Sequence, residues 1–357
     1  MDAAQVQWMD WKWQAKHSIV DAGKVKGGVK TAFQMKITPY YRALMEEENP
    51  NCPIRLQSVP QSEEDIRFEY KKYGIDIHDS LSEEKMSPVP NIVHRYPDRV
   101  LFTVTSNCFM YCRFCTRKRL TGALCAPKLQ LEEAFYYMEQ HTEIRDVLIS
   151  GGDPFTLEDA ELEEIIKRIR AIPHVEIIRI GTRAPVVLPM RITDKLVQIL
   201  KRYQPLWINT HFNHPKEITE LSAEACGKIV DAGIPLGNQS VLLRNVNNDV
   251  ETMKELCTKL VKNRVRPYYL YQCDIGIGNE HFRTKIQEGI DIIEGLRYDI
   301  TGFAVPQYVI DAPGGGGKTL LSPQYVIARD DEKIILRNKY GQMFVYPEVK
   351  LGSAGGV

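Results

Sequence analysis

The sequence has no excess of charge and no long hydrophobic run. Its 357 residues include 46 Lys and Arg and 46 Asp and Glu, so the formal net charge at pH 7 is +0. Nucleic-acid-binding proteins carry a basic surface, so this balance argues against a nucleic-acid partner. No apolar run is long enough to span a membrane, and residues 1–20 mix acidic and basic side chains, unlike a secretion signal. We therefore expect a cytoplasmic protein with no membrane or nucleic-acid partner.

Cysteine is scarce as well, and it is unevenly distributed. Eight cysteines in 357 residues are too few for a disulfide-stabilised scaffold, which also favours a reducing compartment. Cys108, Cys112 and Cys115 lie close together in "NCFMYCRFC". We interpret the others as scattered core or surface thiols: Cys52, Cys125, Cys226, Cys257 and Cys273. The close group therefore needs an explanation of its own.

Short β-branched runs recur from about residue 99 and alternate with amphipathic segments. Strands are expected at residues 100–105, 146–150, 176–182, 206–212, 235–243 and 266–272. Helical segments, such as residues 156–172 and 222–233, lie between them. Repeated strand–helix units predict an α/β fold with a parallel sheet, in the form of a barrel or partial barrel of the (β/α)6 type. In that architecture the functional site lies at the C-terminal ends of the strands.

The chain is expected to divide into an N-terminal helical region, a barrel and a C-terminal β-rich segment, at residues 1–95, 96–310 and 311–357. In the first region "WMDWKWQAKHSI" predicts an amphipathic helix. A further helix is expected to break at Asn49 and Pro50, and another to begin at Ser62. In the last region, strands joined by the turns "ARDDEK" and "NKYG" are expected.

The spacing C-x-x-x-C-x-x-C allows three interpretations. Structural zinc sites use four nitrogen or sulfur ligands, usually in two close pairs, and a second C-x-x-C pair is absent here. Three thiolates can instead bind three irons of a 4Fe-4S cluster, which leaves the fourth iron open to a small molecule. The third interpretation is three unrelated core cysteines.

A glycine pair follows the next predicted strand, in "SGGDP" at residues 150–154. Glycine allows the backbone to approach a ligand closely. Asp153 is then placed to accept hydrogen bonds from a ligand ammonium group. By itself this motif is also a common turn, but its position one unit after the cysteine loop favours a binding site.

The stretch "DAPGGGGKTLL" is glycine-rich and ends in Lys318. A nucleotide-binding P-loop needs a glycine where this chain has Ala312, and Pro323 interrupts the helix that should follow, so nucleotide binding is disfavoured. A lysine can instead bind pyridoxal 5'-phosphate (PLP) covalently, and Arg95 and Arg99 supply cations for a phosphate group. The alternative is a solvated loop.

Taken together, these motifs closely resemble the lysine 2,3-aminomutase family. The similarity also includes "NTHFNHP", "PLGNQSVLLR", "YYLYQCD" and "EHFRT", and it extends from about residue 8 to about residue 347. It implies a partial TIM barrel of the radical S-adenosyl-L-methionine (SAM) kind and an isomerase that moves an amino group between adjacent carbons. Three cofactors are implied, namely a 4Fe-4S cluster, SAM and PLP.

The resemblance also implies which residues bind these cofactors. The cluster ligands would be Cys108, Cys112 and Cys115. The residues in contact with SAM would be Asp153, His211 and Gln239. Lys318 would be the catalytic lysine that binds PLP, and the rest of the PLP pocket would comprise Arg95, Tyr96, Arg99 and Tyr271.

For the substrate, the resemblance implies that Arg117 binds the α-carboxylate and that Asp274 and Asp311 bind the distal ammonium group. Two close carboxylates repel each other unless a cation lies between them, so the pair favours a cationic side chain over an acidic one. L-Lysine is the expected substrate, with arginine, ornithine or a protein lysine side chain as alternatives. The non-functional alternatives are a strand-end turn for Asp274 and a cap on the glycine loop for Asp311. An electron-transfer or binding protein would have no use for Lys318 or the acid pair.

Longer members of the family bind zinc between subunits through a cysteine-rich tail and an internal cysteine. This sequence has Asp249 at the matching internal position and no such tail, so we expect no zinc. The resemblance also implies a flavodoxin- or ferredoxin-type electron donor and a homo-oligomer.

Overall fold

The computed structural model describes residues 3–65, 70–121 and 131–349. The predictions for Cys125, and for the part of the helix starting at Ser62 that covers residues 66–69, lie outside these ranges. Residues 62–65 themselves form a 3-10 turn. Within the described ranges, no helix combines the length and apolar character that a membrane crossing requires.

The largest element is a nine-stranded sheet in which the strands pair in chain order. Its strands are β1 (Ile92–Tyr96), β2 (Arg99–Thr105), β3 (Asp146–Gly151), β4 (Ile177–Gly181), β5 (Leu206–Thr210), β6 (Leu236–Leu242), β7 (Arg266–Gln272), β8 (Gln307–Ala312) and β9 (Gly317–Leu321). Strands β2 to β8 are parallel, whereas β1 and β9 pair antiparallel at the two edges. The seven parallel strands confirm the predicted partial barrel with six strand–helix crossovers.

Helices precede the sheet and connect its parallel strands. The N-terminal ones are α1 (Ala3–Trp8), α2 (Trp11–Lys16), α3 (Pro39–Ala43) and α4 (Pro53–Leu56). Those between the strands are α5 (Leu131–Gln140), α6 (Asp159–Arg170), α7 (Ala184–Val187), α8 (Asp194–Lys201), α9 (Glu220–Asp231), α10 (Val250–Lys262) and α11 (Ile286–Asp299). Every connection between successive parallel strands therefore contains at least one helix, as a parallel sheet requires.

The core lies between the sheet and these helices, and strand β2 shows why it forms. Alternate residues of β2 are buried, including Val100, Phe102 and Val104. Phe102 is fully buried and meets Phe135 of α5 edge-on, with ring centroids 5.3 Å apart. Burial of each such ring contributes roughly 2–3 kcal/mol to the free energy of folding. This contribution determines which face of β2 packs against α5.

Residues 311–321 were expected to form a mobile glycine-rich loop, but much of this segment belongs to a hairpin of β8 and β9. Strands β8 and β9 pair antiparallel, and only Gly317 of the four consecutive glycines lies within a strand. Its φ of +81° suits glycine, and a Cβ there would lie 3.2 Å from the Tyr96 hydroxyl. The sheet continues through positions 95 and 310, so the division of the chain at those positions stays a prediction.

A second sheet of three antiparallel strands follows the first. It contains β10 (Val326–Arg329), β11 (Lys333–Arg337) and β12 (Met343–Pro347). These strands and their two turns confirm the prediction for the C-terminal segment.

The N-terminal helices are shorter than predicted. The single helix expected over "WMDWKWQAKHSI" is divided between α1 and α2. Asp10 causes the division, because its carboxylate accepts a hydrogen bond from the Lys12 backbone N–H at 2.9 Å and caps α2. A short acidic side chain competes in this way with a continuous helical backbone.

Candidate active site

Several of the predicted site residues follow the C-terminal ends of parallel strands, whereas Arg95 and Tyr96 lie in β1 and Arg99 begins β2. The cysteine loop follows β2, Asp153 follows β3, His211 follows β5 and Asp274 follows β7. The C-terminal ends of parallel strands share one edge, so residues far apart in the sequence meet there.

The cysteine loop, residues 106–116, is held by its own backbone and by neighbouring side chains. The Cys115 N–H donates to the Cys112 carbonyl at 3.0 Å, and the Arg117 N–H donates to Cys115 Sγ at 3.3 Å. Burial raises the pKa of the Cys108 thiol well above its usual range, and Asp153 and the other two thiols raise it further. Three thiolates therefore cannot coexist here without a positive centre to offset their charge.

The donor set fits an iron–sulfur cluster better than a single ion. No group of three or more His, Cys, Asp or Glu side chains in residues 3–65, 70–121 and 131–349 is arranged to hold a metal ion. A four-iron cluster binds each thiolate at a different iron, so its ligands need not converge on one point. Three neighbouring thiols on one loop meet that requirement, and they would leave one iron for a small ligand.

The glycines of "SGGDP" serve the packing of this loop. A Cβ at Gly151 would lie 2.3 Å from the Thr105 carbonyl oxygen, and one at Gly152 would lie 2.0 Å from the Asn107 carbonyl oxygen. The Gly152 N–H donates to the Thr105 carbonyl at 2.6 Å. The glycines were expected to allow a ligand to approach the backbone closely. In the structure they allow the backbone at Thr105 and Asn107 to approach closely.

Asp153 is buried, and its carboxylate is largely occupied by the protein. Oδ1 accepts from the Phe155 N–H at 3.0 Å and from the Thr182 hydroxyl at 2.7 Å, and Oδ2 accepts from the Arg183 N–H at 2.9 Å. A carboxylate can accept about four hydrogen bonds, so Oδ2 retains capacity for one more donor.

His211 lies beside Phe114, the aromatic residue before Cys115. The His211 ring centroid is 5.4 Å from that of Phe114, and burial lowers the pKa of His211 to about 3, so the ring is neutral. Its Nε2 atom is buried and has no hydrogen-bond partner in the part of the chain that the structure describes. Gln239 is half-buried on the same face of β6 as Val241, which packs against the cluster of apolar side chains around Phe114.

The β8–β9 hairpin brings Lys318 to the predicted acids. Lys318 Nζ lies 3.4 Å from Asp311 Oδ1 and 5.4 Å from the centroid of the Tyr271 ring. Its backbone N–H donates to the Tyr96 hydroxyl at 3.0 Å. The structure therefore groups the predicted lysine with an aromatic side wall and one of the two acids.

The other residues of the predicted PLP pocket adjoin Lys318. The Arg99 guanidinium carbon lies 4.0 Å from the centroid of the Tyr96 ring. Arg95 Nη1 lies 3.6 Å from Asp311 Oδ1, and its Nη2 donates to the Leu81 carbonyl. Two arginines and a phenol thus stand beside the lysine, a set that suits a phosphate group.

The two predicted substrate acids are close enough to repel each other. Burial, followed by repulsion from Asp311, raises the pKa of Asp274 to about 7. Asp311 is buried between Arg95 and Lys318, which supply its counter-charge. A further cation at this position would favour the ionised form of both acids.

Arg117, the predicted carboxylate ligand, is already paired with Glu83. Nε is 3.0 Å from each carboxylate oxygen, and Nη2 is 2.6 Å from Oε1. Glu83 is buried, and its pKa lies below the usual value because the attraction of Arg117, then of Arg119 and Arg95, outweighs the effect of burial. This pair leaves the Nη1 side of the guanidinium for a ligand.

Sequence reasoning missed Glu83 because its segment looks like an ordinary polar turn. It also missed Arg183, whose Nη1 donates to Cys112 Sγ at 2.9 Å. The available signal was its position in "IGTRAP", directly after a predicted strand, where functional residues collect in this architecture.

Comparison with known proteins agrees with this geometry. A family model described as Radical SAM superfamily matches residues 102–257, and one described as Lysine-2,3-aminomutase matches residues 293–354. The chain is 51% identical over 362 residues to an L-lysine 2,3-aminomutase of Bacillus subtilis, covering 97% of this chain and 76% of the relative. It is 49% identical to an L-lysine 2,3-aminomutase of Clostridium subterminale, covering 97% and 86%. It is 41% identical to a glutamate 2,3-aminomutase of Clostridioides difficile, covering 96% and 83%. The chain therefore belongs to the lysine 2,3-aminomutase family of radical SAM isomerases.

Proposed function

We propose that this chain is an L-lysine 2,3-aminomutase, which moves the amino group of L-lysine from C2 to C3 and gives β-lysine. Relatives named for lysine and for glutamate both match, so the family alone leaves the side chain of the substrate open. The observation that carries the proposal is the acid pair beside Lys318, in which Asp311 is buried and Asp274 is half-buried. A glutamate side chain would add a third carboxylate there, whereas the lysine ammonium would add a further cation that favours ionisation of both acids.

The proposed cofactor ligands follow the grouping described above. Cys108, Cys112 and Cys115 would hold the 4Fe-4S cluster that radical SAM enzymes use. Asp153 Oδ2 has capacity for a further hydrogen bond, and His211 Nε2 has no partner among the described residues. Both observations support the proposed roles of these residues toward SAM, together with Gln239. When bound, the cluster and SAM supply the radical that removes a hydrogen atom from the substrate, and PLP supplies the conjugated system that carries the nitrogen.

The residues around Lys318 would bind and orient PLP and the substrate. Lys318 would hold PLP covalently beside Tyr271, with the phosphate group near Tyr96 and Arg99. Arg117 would bind the α-carboxylate through the side of its guanidinium that Glu83 leaves free. The substrate would then be held at both ends, which fixes the reacting carbons between the two cofactors.

A short segment, residues 79–87, covers this group of residues. The Gly314 N–H donates to the Ser80 carbonyl at 3.1 Å, and a Cβ at Gly315 would lie 2.3 Å from Met86 Cε. Glu83 and Leu81 of the same segment bind Arg117 and Arg95. We propose that this cover excludes water and other quenchers from the radical.

We further propose that a flavodoxin- or ferredoxin-type protein supplies the electron, that the protein is a homo-oligomer, and that it uses no zinc. The last point rests on Asp249, whose carboxylate accepts from the Thr252 N–H at 2.8 Å and caps α10. The exposed apolar side chains of the C-terminal sheet support self-association: Val326, Ile327, Met343, Phe344, Val345 and Tyr346.

The test is an anaerobic assay of protein reconstituted with iron, sulfide and PLP. L-Lysine, L-arginine, L-ornithine and L-glutamate are each incubated with SAM and dithionite, and α- and β-isomers are separated. We expect conversion of L-lysine alone. Conversion of L-glutamate, or of none of the four, would contradict the proposal. In Lys318→Ala, the absorption band of the lysine–PLP bond at about 420 nm should be absent. Lys339→Ala is the control and should retain that band.

A further inference from the structure

Arg183 connects the cysteine loop to the proposed SAM residues. It follows β4 and is 8% exposed. Nη1 donates to Cys112 Sγ at 2.9 Å, Nε donates to the His211 carbonyl at 3.1 Å, and the Arg183 N–H donates to Asp153. Arg183 therefore contacts Cys112, a proposed cluster ligand. It also contacts two residues proposed to bind SAM, namely the backbone of His211 and the side chain of Asp153.

The guanidinium is fixed from the opposite side as well. Nη2 donates to Gln57 Oε1 and to Glu217 Oε1, both at 2.7 Å. Glu217 is fully buried and itself accepts from the Tyr41 hydroxyl and from the Asn213 N–H, each at 2.6 Å. Arg183 consequently has no freedom to turn away from Cys112, and its contact with the sulfur is enforced by the surrounding packing.

This contact differs in kind from those of Cys115. Cys115 Sγ accepts from the Arg117 backbone N–H at 3.3 Å and faces the Thr121 hydroxyl at 3.6 Å, both neutral groups. Cys112 accepts from a cation that lies in a water-poor environment. Hydrogen bonds to the sulfurs and nearby charge set the potential of an iron–sulfur cluster, and a cationic donor favours the reduced form, which carries more negative charge.

We propose that Arg183 is a positioning residue that holds Cys112 toward its iron and raises the reduction potential of the cluster. The proposal rests on the assignment of the cysteine triplet as cluster ligands and does not depend on which amino acid is the substrate. Easier reduction would allow a weak physiological donor to load the cluster with an electron.

The experiment is an EPR-monitored potentiometric titration of the anaerobically reconstituted full chain without SAM. Arg183→Gln removes the charge, and Arg183→Lys keeps a charge but loses the fork that reaches Cys112, His211 and Glu217 together. We expect a more negative midpoint potential in both variants than in the wild type, with the larger shift in Arg183→Gln. The matched control is Arg191→Lys, because Arg191 is also buried but bonds to the carbonyls of Phe155 and Leu157 and pairs with Asp159. It contacts no cysteine within the described part of the chain.

The outcomes separate this proposal from a general loss of structure. The proposal is overturned if either Arg183 variant, once loaded with iron and sulfide, has the midpoint potential of the wild type. It is also overturned if Arg191→Lys shifts the midpoint potential as much as the Arg183 variants do. Variants that fold by circular dichroism but retain less iron than Arg191→Lys support the positioning role. Wild-type protein that holds a reducible cluster but does not convert L-lysine would contradict the proposed function and leave this inference intact.

Discussion

Asp311 and Lys318 face each other across the antiparallel pair β8–β9, with Lys318 Nζ 3.4 Å from Asp311 Oδ1. The glycine-rich turn between them thus places the acid proposed for the far end of the substrate beside the lysine proposed for PLP. In the substrate-free protein, Lys318 partly neutralises Asp311. Under the proposed function, PLP would engage the Lys318 nitrogen, and a substrate ammonium group could then serve as a partner for Asp311.

Removal of one acid should weaken lysine binding. In Asp274→Asn the ammonium group loses a charged partner in a buried site, so we expect the KM for L-lysine to rise at least about tenfold, or about 1.4 kcal/mol. Steady-state assays with the reconstituted enzyme measure this. Asp291→Asn, an exposed change on α11, should leave KM as in the wild type. An unchanged KM in Asp274→Asn would remove this residue from the substrate site.

The same residue predicts a pH dependence. The pKa of Asp274 is raised to about 7 by burial, with Asp311 and Glu83 adding to it and Lys318 and Arg117 opposing it. A cationic substrate binds the ionised form, so KM should be nearly constant above pH 7 and should rise as the pH falls below 7. The pH profile of KM from about 6 to 8 tests this. In Asp274→Asn the rise should disappear, and its persistence would assign the effect to another group.

The ionised form of Asp274 should also lower the free energy of unfolding of the substrate-free protein. Its folded-state pKa of about 7 exceeds the ordinary value of 3.8, so the ionised form is disfavoured in the folded state. The cost is absent below pH about 4, grows as the pH rises toward 7 and is complete above it, at roughly 2–4 kcal/mol. Asp274→Asn should therefore stabilise the protein at pH 8 and much less at pH 5. Urea unfolding at the two pH values measures this, and equal gains at both would contradict it.

Glu83 should affect substrate binding through Arg117. Its carboxylate holds Nε and Nη2, so in Glu83→Gln the guanidinium loses its charged anchor and we expect a roughly tenfold higher KM with little change in kcat. Glu84→Gln is the control, because Glu84 is largely exposed and contacts only Arg119 among the basic side chains of the described ranges. A lower KM in Glu83→Gln would show instead that Glu83 competes with the substrate carboxylate for Arg117.

The parallel strands could be predicted because β-branched residues repeat in runs that only a buried strand explains. Strands β2 to β7 lie within about two residues of their predicted limits. Strands β1 and β9 were missed because each is a short edge strand: in β1 the polar His94 and Arg95 follow only two apolar residues, and β9 begins with Gly317 and Lys318. Strand β8 was missed because its apolar run is only three residues long, between Gln307 and Asp311.

The motifs of the site could be predicted, but their supporting contacts could not. Cys108, Cys112 and Cys115 lie within one loop, and the topology alone brings Asp153 to the same edge. Arg117 and Glu83 are 34 positions apart, and Arg183 and Cys112 are 71 apart. The first pair depends on how the segment before the sheet packs against the cysteine loop. The second depends on the direction that the Arg183 side chain takes after β4, and local pattern encodes neither.

The glycine pair after β3 offers a test of how the cysteine loop is built. In Gly152→Ala the new Cβ would lie 2.0 Å from the Asn107 carbonyl oxygen and 2.8 Å from the Asn107 nitrogen, so the backbone of the cysteine loop must move. Overpacking of this kind costs roughly 1–3 kcal/mol or more, and we expect lower iron content after reconstitution together with a lower Tm. Gly302→Ala is the matched control, because no atom lies within 4 Å of a Cβ at that position and it should load iron as the wild type does. Full iron content in Gly152→Ala would show that the close approach of β3 to the cysteine loop is dispensable for the cluster, and the two glycines would then need another explanation.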